Sequence, residues 1–317
     1  MKHFGRTFAL FTILIAFLLI PVSAATALIP GGQVVAMQLS DGTITIAAID
    51  ETLGKNAKAA GLRSGDQILA VEGRSVSSPE EIRSVLAATK GAVELSIRRA
   101  GKEQTLQFTP AMTENGPRLG VYLKEGTAGI GTITYYDPKT TTFGALGHGV
   151  NTPKGKPVSM KTGQIYEATV LSVKKGKIGT PGQLVGAIAD PDGIGNLSKN
   201  TARGVFGKTA MPDLDPIPVG QAKAGKATIR STIDQQGLRE YSVEIMKIYP
   251  GSSKDGRNML IKVTDPALLE ATGGIVQGMS GSPIIQEGKL VGAVTHVLVN
   301  DPTTGYGIFI DNMLDAA

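Results

Sequence analysis

The chain has 317 residues, which is enough for about two domains of ordinary size. Its 41% hydrophobic residues and its 41 glycines without a repeat period exclude a disordered or collagen-like chain and favour turn-rich β structure. Cysteine is absent, which excludes disulfides and a cysteine nucleophile. The net charge is +5, but the basic residues are scattered along a chain without tryptophan, so we expect no nucleic-acid partner.

The amino terminus has the layout of an export signal. Basic residues Lys2 and Arg6 precede an uncharged apolar run from Phe8 to Ile20, and small residues follow it. The run is short for a bilayer span, yet a thinned bilayer would accommodate it. We therefore expect residues 1–27 to be a signal peptide or a retained membrane anchor, and the rest of the chain to work outside the cytoplasm.

Residues 28–124 carry the pattern of a small α+β domain. Ala60–Gly73 indicates a short apolar strand between two glycine turns. Ser78-Pro79-Glu80-Glu81 is a capping box that begins an amphipathic helix, and strands around Val93–Arg99 and Thr105–Phe108 follow. This order resembles the PDZ domains of bacterial proteases.

The PDZ resemblance implies a bound peptide. An extended ligand would add as a strand beside the helix, with its carboxylate held by backbone N–H groups of an apolar glycine loop. The candidate loop runs from Ile29 to Val34 and contains Gly31 and Gly32. The alternative is an ordinary turn that leads out of the signal segment.

The second domain, residues 125–317, contains a candidate nucleophile. Short strands separated by Gly, Pro, Asn and Asp turns predict an all-β sandwich or barrel. In Gly278-Met279-Ser280-Gly281, glycines permit a tight turn that would expose the Ser280 hydroxyl, with the N–H groups of Gly278 and Ser280 as oxyanion donors. A polar surface turn is the alternative. The strand Lys289–His296 follows the serine motif, and this order resembles that of trypsin-like proteases, in which a similar strand follows the serine turn. The resemblance implies a double β-barrel.

Two histidines lie beyond the signal segment, His148 and His296. A nucleophilic serine requires a neighbouring base. His148 lies between glycines after an apolar strand, so we predict that it is the base. We expect His296, on the strand after the serine, to be a pocket-wall or packed residue.

The acid that would orient the histidine is less well defined. Asp265 lies shortly before Ser280, and a carboxylate there would stabilise the charged imidazole and raise its pKa. Asp265 before Pro266 is also a helix N-cap signature. In trypsin-like enzymes the acid is nearer the histidine, which favours Asp190 or Asp192, and spacing leaves the choice open.

The whole chain resembles one family. Gly144-Ala145-Leu146-Gly147-His148-Gly149 and the stretch from Thr264-Asp265-Pro266 to Gly278-Met279-Ser280-Gly281-Ser282-Pro283, together with the preceding PDZ pattern, are similar to the stage IV sporulation protein B serine peptidases. The resemblance implies a triad of His148, Asp265 and Ser280, with no metal or other cofactor.

The same resemblance implies a biological role. The chain would be exported into the space between the forespore and mother-cell membranes, cleave itself, and cut a membrane-bound sporulation regulator so that a late sigma factor becomes active. Its partners would be that protein substrate, a PDZ ligand peptide and itself. The rival hypothesis is a catalytically inactive PDZ scaffold that binds the tail of a membrane protein.

Overall fold

The computed structural model describes residues 26–152, 155–251 and 256–317. The predicted signal or anchor lies outside these residues, apart from its last two positions. Strands are numbered β1 to β21 and helices α1 to α4 along the described chain. Within the described part, no helix is long and apolar enough to cross a membrane.

Six strands close into a first barrel. Its members are β2 (Val34–Ile49), β9 (Val121–Asp137), β10 (Thr142–Ala145), β11 (Thr162–Lys174), β13 (Gly195–Thr201) and β14 (Gly204–Thr209). Each pairs antiparallel with its neighbours in the order β9-β10-β14-β13-β11-β2, and the pairing of β2 with β9 closes the ring. Three short strands attach to this barrel: β1 (Ala27–Pro30), β12 (Gln183–Ile188) and β15 (Ile217–Pro218). Apolar side chains such as Val35, Met37 and Phe143 fill its interior.

A second closed barrel follows along the chain. Its strands are β16 (Gly225–Thr232), β17 (Leu238–Ile248), β18 (Met259–Val263), β19 (Pro283–Gln286), β20 (Lys289–Leu298) and β21 (Asp301–Phe309). Helix α3 (Pro266–Thr272) connects β18 to the segment before β19, and α4 (Ile310–Leu314) follows β21. Along β17 the side chains of Tyr241, Val243 and Ile245 are buried in alternation, as expected for a barrel wall. The predicted double β-barrel is confirmed.

A smaller α+β unit lies between β2 and β9. It contains α1 (Lys55–Ala59), β3 (Gln67–Val71), β4 (Arg74–Ser75), α2 (Pro79–Ala88), β5 (Val93–Arg99), β6 (Lys102–Phe108), β7 (Ala111–Thr113) and β8 (Gly116–Arg118). The Ser78 hydroxyl accepts the Glu81 N–H and Pro79 begins α2, as the capping box predicts. Ile82 and Leu86 of this helix pack into the unit's core.

The long strands β2 and β9 connect the α+β unit to the first barrel. Residues 34–39 of β2 pair with 127–132 of β9 in the barrel, whereas 44–49 pair with 121–125 in the smaller unit. The predicted PDZ boundary at residue 28 is therefore corrected. Residues 27–39 belong to the first barrel because their backbone pairs with β9 and β11, and the side chains of Ile29, Val35, Met37 and Leu39 lie in its core.

Candidate active site

Ser280 lies on a tight turn between α3 and β19, on the wall of a cavity between the two barrels. Gly278 and Gly281 have φ angles of +100° and +98°, in the left-handed region that favours glycine. A Cβ on Gly281 would overlap the Thr132 carbonyl oxygen, so the turn passes too close to β9 for a side chain. The Ser280 hydroxyl donates to the Thr295 carbonyl at 2.9 Å.

Thr132 of the first barrel holds this turn in place. Its N–H donates to the Ser280 carbonyl at 3.0 Å, and its hydroxyl donates to the Gly278 carbonyl at 2.8 Å. Thr132 is fully buried. The Ser280 turn of the second barrel is thus fixed directly to β9 of the first.

His148 reaches the same cavity from the loop after β10. Gly147 before it has a φ of +69°, and a Cβ there would lie 2.8 Å from the Thr295 methyl group, so glycine lets the loop approach β20. His148 and Ser280 both line the cavity, whose volume is about 530 Å³. The predicted base and nucleophile, which are distant in sequence, are therefore brought to one cavity.

The His148 ring is oriented by a backbone carbonyl. Its Nδ1 lies 2.9 Å from the Gly149 carbonyl oxygen, so a proton on Nδ1 is donated to that oxygen and Nε2 is left to act as a base. Burial lowers the pKa of His148, and the hydrogen bond with Gly149 opposes that shift. The His296 ring lies on the same cavity, with its centroid 5.3 Å from that of His148. The environment favours the neutral imidazole that a general base requires.

Two backbone N–H groups beside Ser280 are available as donors. Among the hydrogen bonds of the described residues, neither the Gly278 N–H nor the Ser280 N–H donates to another protein group. The neighbouring N–H groups are committed: Gln277 donates to Gly182 and Met279 to Val276. The two predicted oxyanion donors are thus the N–H groups that the turn leaves open.

Asp265 does not accompany His148. Its Oδ1 accepts the N–H groups of Ala267 and Leu268 at 3.0 and 3.1 Å, and its Oδ2 accepts that of Ser242 at 3.2 Å. It caps α3 and is absent from the cavity wall. The expectation that Asp265 orients His148 is corrected, because its carboxylate serves the helix terminus that the alternative interpretation identified.

The competing acids lie elsewhere too. Asp190 and Asp192 are exposed in the loop between β12 and β13, where the Asp192 N–H donates to Asp190 Oδ1 at 2.9 Å. Neither lines the cavity, and no Asp or Glu of the described residues does so. The Gly149 carbonyl accepts the hydrogen bond from His148 Nδ1 that the sequence analysis assigns to a carboxylate. A backbone acceptor leaves no signal in residue types, so sequence reasoning missed it.

The candidate peptide-binding loop is also placed differently. The Gly31 and Gly32 N–H groups donate to the carbonyls of Thr134 and Ile133 in the first barrel, at 2.9 and 2.8 Å. The Gly32 carbonyl accepts the Thr232 N–H of the second barrel. Ile29 and Val34, at the ends of this loop, are buried in barrel cores. The loop joins the barrels and has no N–H at either glycine to offer a peptide, which corrects the expectation.

A different glycine segment borders the helix groove. A cavity of about 380 Å³ beside α2 is lined by Pro79, Ile82 and Leu86 on one side and by Leu119-Gly120-Val121 on the other. Gly120 has a φ of +71°, and a Cβ there would overlap the Leu53 carbonyl. The sequence signal that would have found this loop is the glycine between two apolar residues at the start of β9.

Two family models match different parts of the chain. A family model described as SpoIVB peptidase S55 matches residues 115–314, and a PDZ domain model matches residues 54–99. Atu1380 of Agrobacterium fabrum, named as a zinc metalloprotease, is 32% identical over 77 residues, which are 24% of this chain. The match covers only 20% of that curated relative.

Solved structures with similar parts include the active form of the Rv3671c protease from M. tuberculosis. It is 16% identical, with 60% of this chain and 72% of that chain covered and a TM-score of 0.34. The PDZ domain of the SdrC-like protein Lmo2051 from Listeria monocytogenes is 18% identical, with 27% and 92% covered and a TM-score of 0.23.

Proposed function

The chain belongs to the SpoIVB peptidase S55 family, and we propose that its serine peptidase activity resides in Ser280 as nucleophile and His148 as general base. One observation carries this assignment. The two side chains come from different barrels and line one cavity beside the open N–H groups of Gly278 and Ser280. A nucleophile, a base and oxyanion donors at one surface are the groups that acyl transfer requires.

The proposed reaction starts from the neutral imidazole. The Ser280 hydroxyl leaves the Thr295 carbonyl, gives its proton to His148 Nε2, and attacks the substrate carbonyl carbon. The Gly278 and Ser280 N–H groups stabilise the oxyanion, and His148 returns the proton to the leaving amine. Water, activated by His148, then hydrolyses the acyl-enzyme. Throughout, the Gly149 carbonyl holds the Nδ1 proton and stabilises the imidazolium.

The PDZ unit is proposed to direct the peptidase to its targets. The groove between α2 and the Leu119–Val121 segment is open and lined by apolar residues together with Asp50, Arg83 and Arg118, which suits an extended peptide. The apolar run in residues 8–20 supports export and a position at a membrane. Tethering at the membrane raises the effective concentration of neighbouring tails, so weak capture would be sufficient.

The biological part of the proposal rests on family membership. We propose that the peptidase acts in sporulation, cleaves itself, and cuts a membrane-bound regulator in the space between forespore and mother cell. The inactive PDZ scaffold is the alternative, and the open Ser280 turn with its adjacent base favours the enzyme.

The test is peptide-bond cleavage by the full-length protein and three variants. Ser280→Ala and His148→Ala are each expected to reduce cleavage of a protein substrate to trace rates with an unchanged circular dichroism spectrum. Ser172→Ala, on the exposed face of β11, is the matched control and should retain full activity. Cleavage by Ser280→Ala above trace rates would contradict the proposal, and peptide binding without any cleavage by the wild type would favour the scaffold.

A further inference from the structure

We propose that this peptidase cleaves after uncharged apolar residues and rejects substrates with a charged side chain at that position. The inference rests on the proposed function and names the substrate class of the same site. It concerns the part of the cavity that we call the acyl pocket, lined by Pro181, Ile275, Val276, Gln277, Val297 and Val299.

The acyl pocket lies where the substrate residue that donates the attacked carbonyl must enter. Ser280 Oγ is 2.9 Å from the Thr295 carbonyl, so β20 runs directly past the nucleophile. Residues 275–278 precede the nucleophile and form the facing wall. A substrate carbonyl held by the Gly278 and Ser280 N–H groups therefore directs its own side chain into the space between these two walls.

The walls of the acyl pocket are fixed before substrate binds. The Ile275 N–H donates to the Pro302 carbonyl at 2.8 Å, which joins one wall to the start of β21. The Gln277 N–H donates to the Gly182 carbonyl at 2.9 Å. A Cβ on Gly305 would lie 2.6 Å from Ile275 Cδ1, so the isoleucine packs against β21 only because residue 305 has no side chain. The pocket is preorganised, and its chemistry can be read from these residues.

The chemistry of the pocket is apolar. Ile275 and Val276 are only 2% and 1% exposed and back the pocket as part of the second barrel's core, whereas Val297 and Val299 are its accessible apolar side chains. Gln277 lies exposed at its mouth. No Asp, Glu, Lys or Arg of the described residues lines any part of the cavity. An apolar side chain gains free energy by burial there, whereas an ammonium or carboxylate group would lose its hydration without an ionic partner.

The experiment measures how fast the full-length protein reacts with two peptide diphenyl phosphonates that differ only in a leucine or lysine side chain next to phosphorus. Ser280 Oγ forms the bond to phosphorus, phenoxide leaves, and the hydroxyl proton passes through His148 to solvent. The leucine probe is expected to react at least about a hundredfold faster, because the lysine probe would bury an unpaired charge.

A variant pair tests whether the acyl pocket sets this preference. Gln277→Glu places one carboxylate at the pocket mouth and should accelerate the lysine probe several-fold relative to the leucine probe. Gln104→Glu, on exposed β6 of the PDZ unit, is the matched control and should leave the ratio unchanged. An unchanged ratio in Gln277→Glu would show that another part of the cavity receives the side chain and would overturn the assignment of the pocket.

A small fluorophosphonate without a peptide separates the possible failures. If it labels the wild type while the leucine and lysine probes react equally fast, the specificity inference is wrong and the proposed nucleophile stands. If it does not label the wild type, the proposed function fails and the inference fails with it.

Discussion

Replacing Asp265 with asparagine distinguishes a capping carboxylate from a catalytic one. In the structure, Asp265 Oδ1 holds two N–H groups at the start of α3, and Oδ2 holds the Ser242 N–H. Asparagine keeps the first oxygen and is itself a good N-cap, but it loses the acceptor that faces Ser242. The expected loss of unfolding free energy is about 1 kcal/mol, the cost of one exposed hydrogen bond and an altered cap.

The catalytic consequence should be small. An asparagine in place of a triad aspartate lowers kcat by ~10⁴-fold in a well-studied serine protease, because it stabilises the wrong histidine tautomer. Here the Gly149 carbonyl sets the tautomer, so Asp265→Asn should retain kcat within several-fold while its melting temperature falls by a few degrees.

The assay is kcat for one peptide substrate beside a thermal unfolding curve. Asp192→Asn in the exposed loop is the control and should change neither quantity. A loss of more than about a thousandfold in kcat without a change in melting temperature would show that Asp265 is a catalytic carboxylate, because only that role gives this combination.

Three further predictions concern the cavity and the barrels. Because burial lowers the pKa of His148, acylation should rise with pH through a midpoint below ~6.5, and a midpoint above about 7 in a pH–rate profile would contradict this. Stability should fall as the pH drops from ~6.5 towards that midpoint, since over this range the unfolded chain binds more protons than the folded one. Thr132→Val removes the hydroxyl that holds Gly278 and should lower the unfolding free energy by about 1 kcal/mol and kcat several-fold, whereas Thr132→Ser keeps the hydroxyl and should restore kcat in the same assay. Gly31→Ala would overlap the Ile133 carbonyl, so it should lower the melting temperature without weakening peptide binding by the PDZ groove, as measured by fluorescence anisotropy; a selective loss of peptide affinity would restore this loop as the binding site.

Glycine patterns in the sequence singled out two residues that the structure brings to one cavity, Ser280 and His148. The Ser280 turn needs glycine on both sides, and its glycines are visible in the chain. The glycines beside His148 are also visible in the chain: Gly147 allows the loop to approach β20, and a Cβ on Gly149 would overlap the Thr201 carbonyl. The spacing of strands and turns predicted an all-β sandwich or barrel, and the resemblance to trypsin-like proteases implied the double barrel that the structure has.

Other sequence patterns are compatible with two different structures, and the sequence alone does not decide between them. An aspartate before proline fits a helix cap and a catalytic acid equally well, and only the three N–H groups around Asp265 decide for the cap. A glycine pair is compatible with a ligand-binding loop and also with a segment that packs closely between two barrels. Gly31 and Gly32 lie in a segment of the second kind. The domain boundary was misplaced because β2 and β9 run through both units, and strand pairing over such a distance in sequence leaves no local signal.

The proposed chemistry depends on Ser280 as a nucleophile that His148 activates. Peptide mapping by mass spectrometry of the full-length protein after fluorophosphonate treatment measures this activation. We expect one adduct on the peptide that contains Ser280, formed at least about a hundredfold more slowly in His148→Ala, since a general base contributes 10²–10⁴-fold. An adduct on another residue, or equal labelling in the two proteins, would contradict the account.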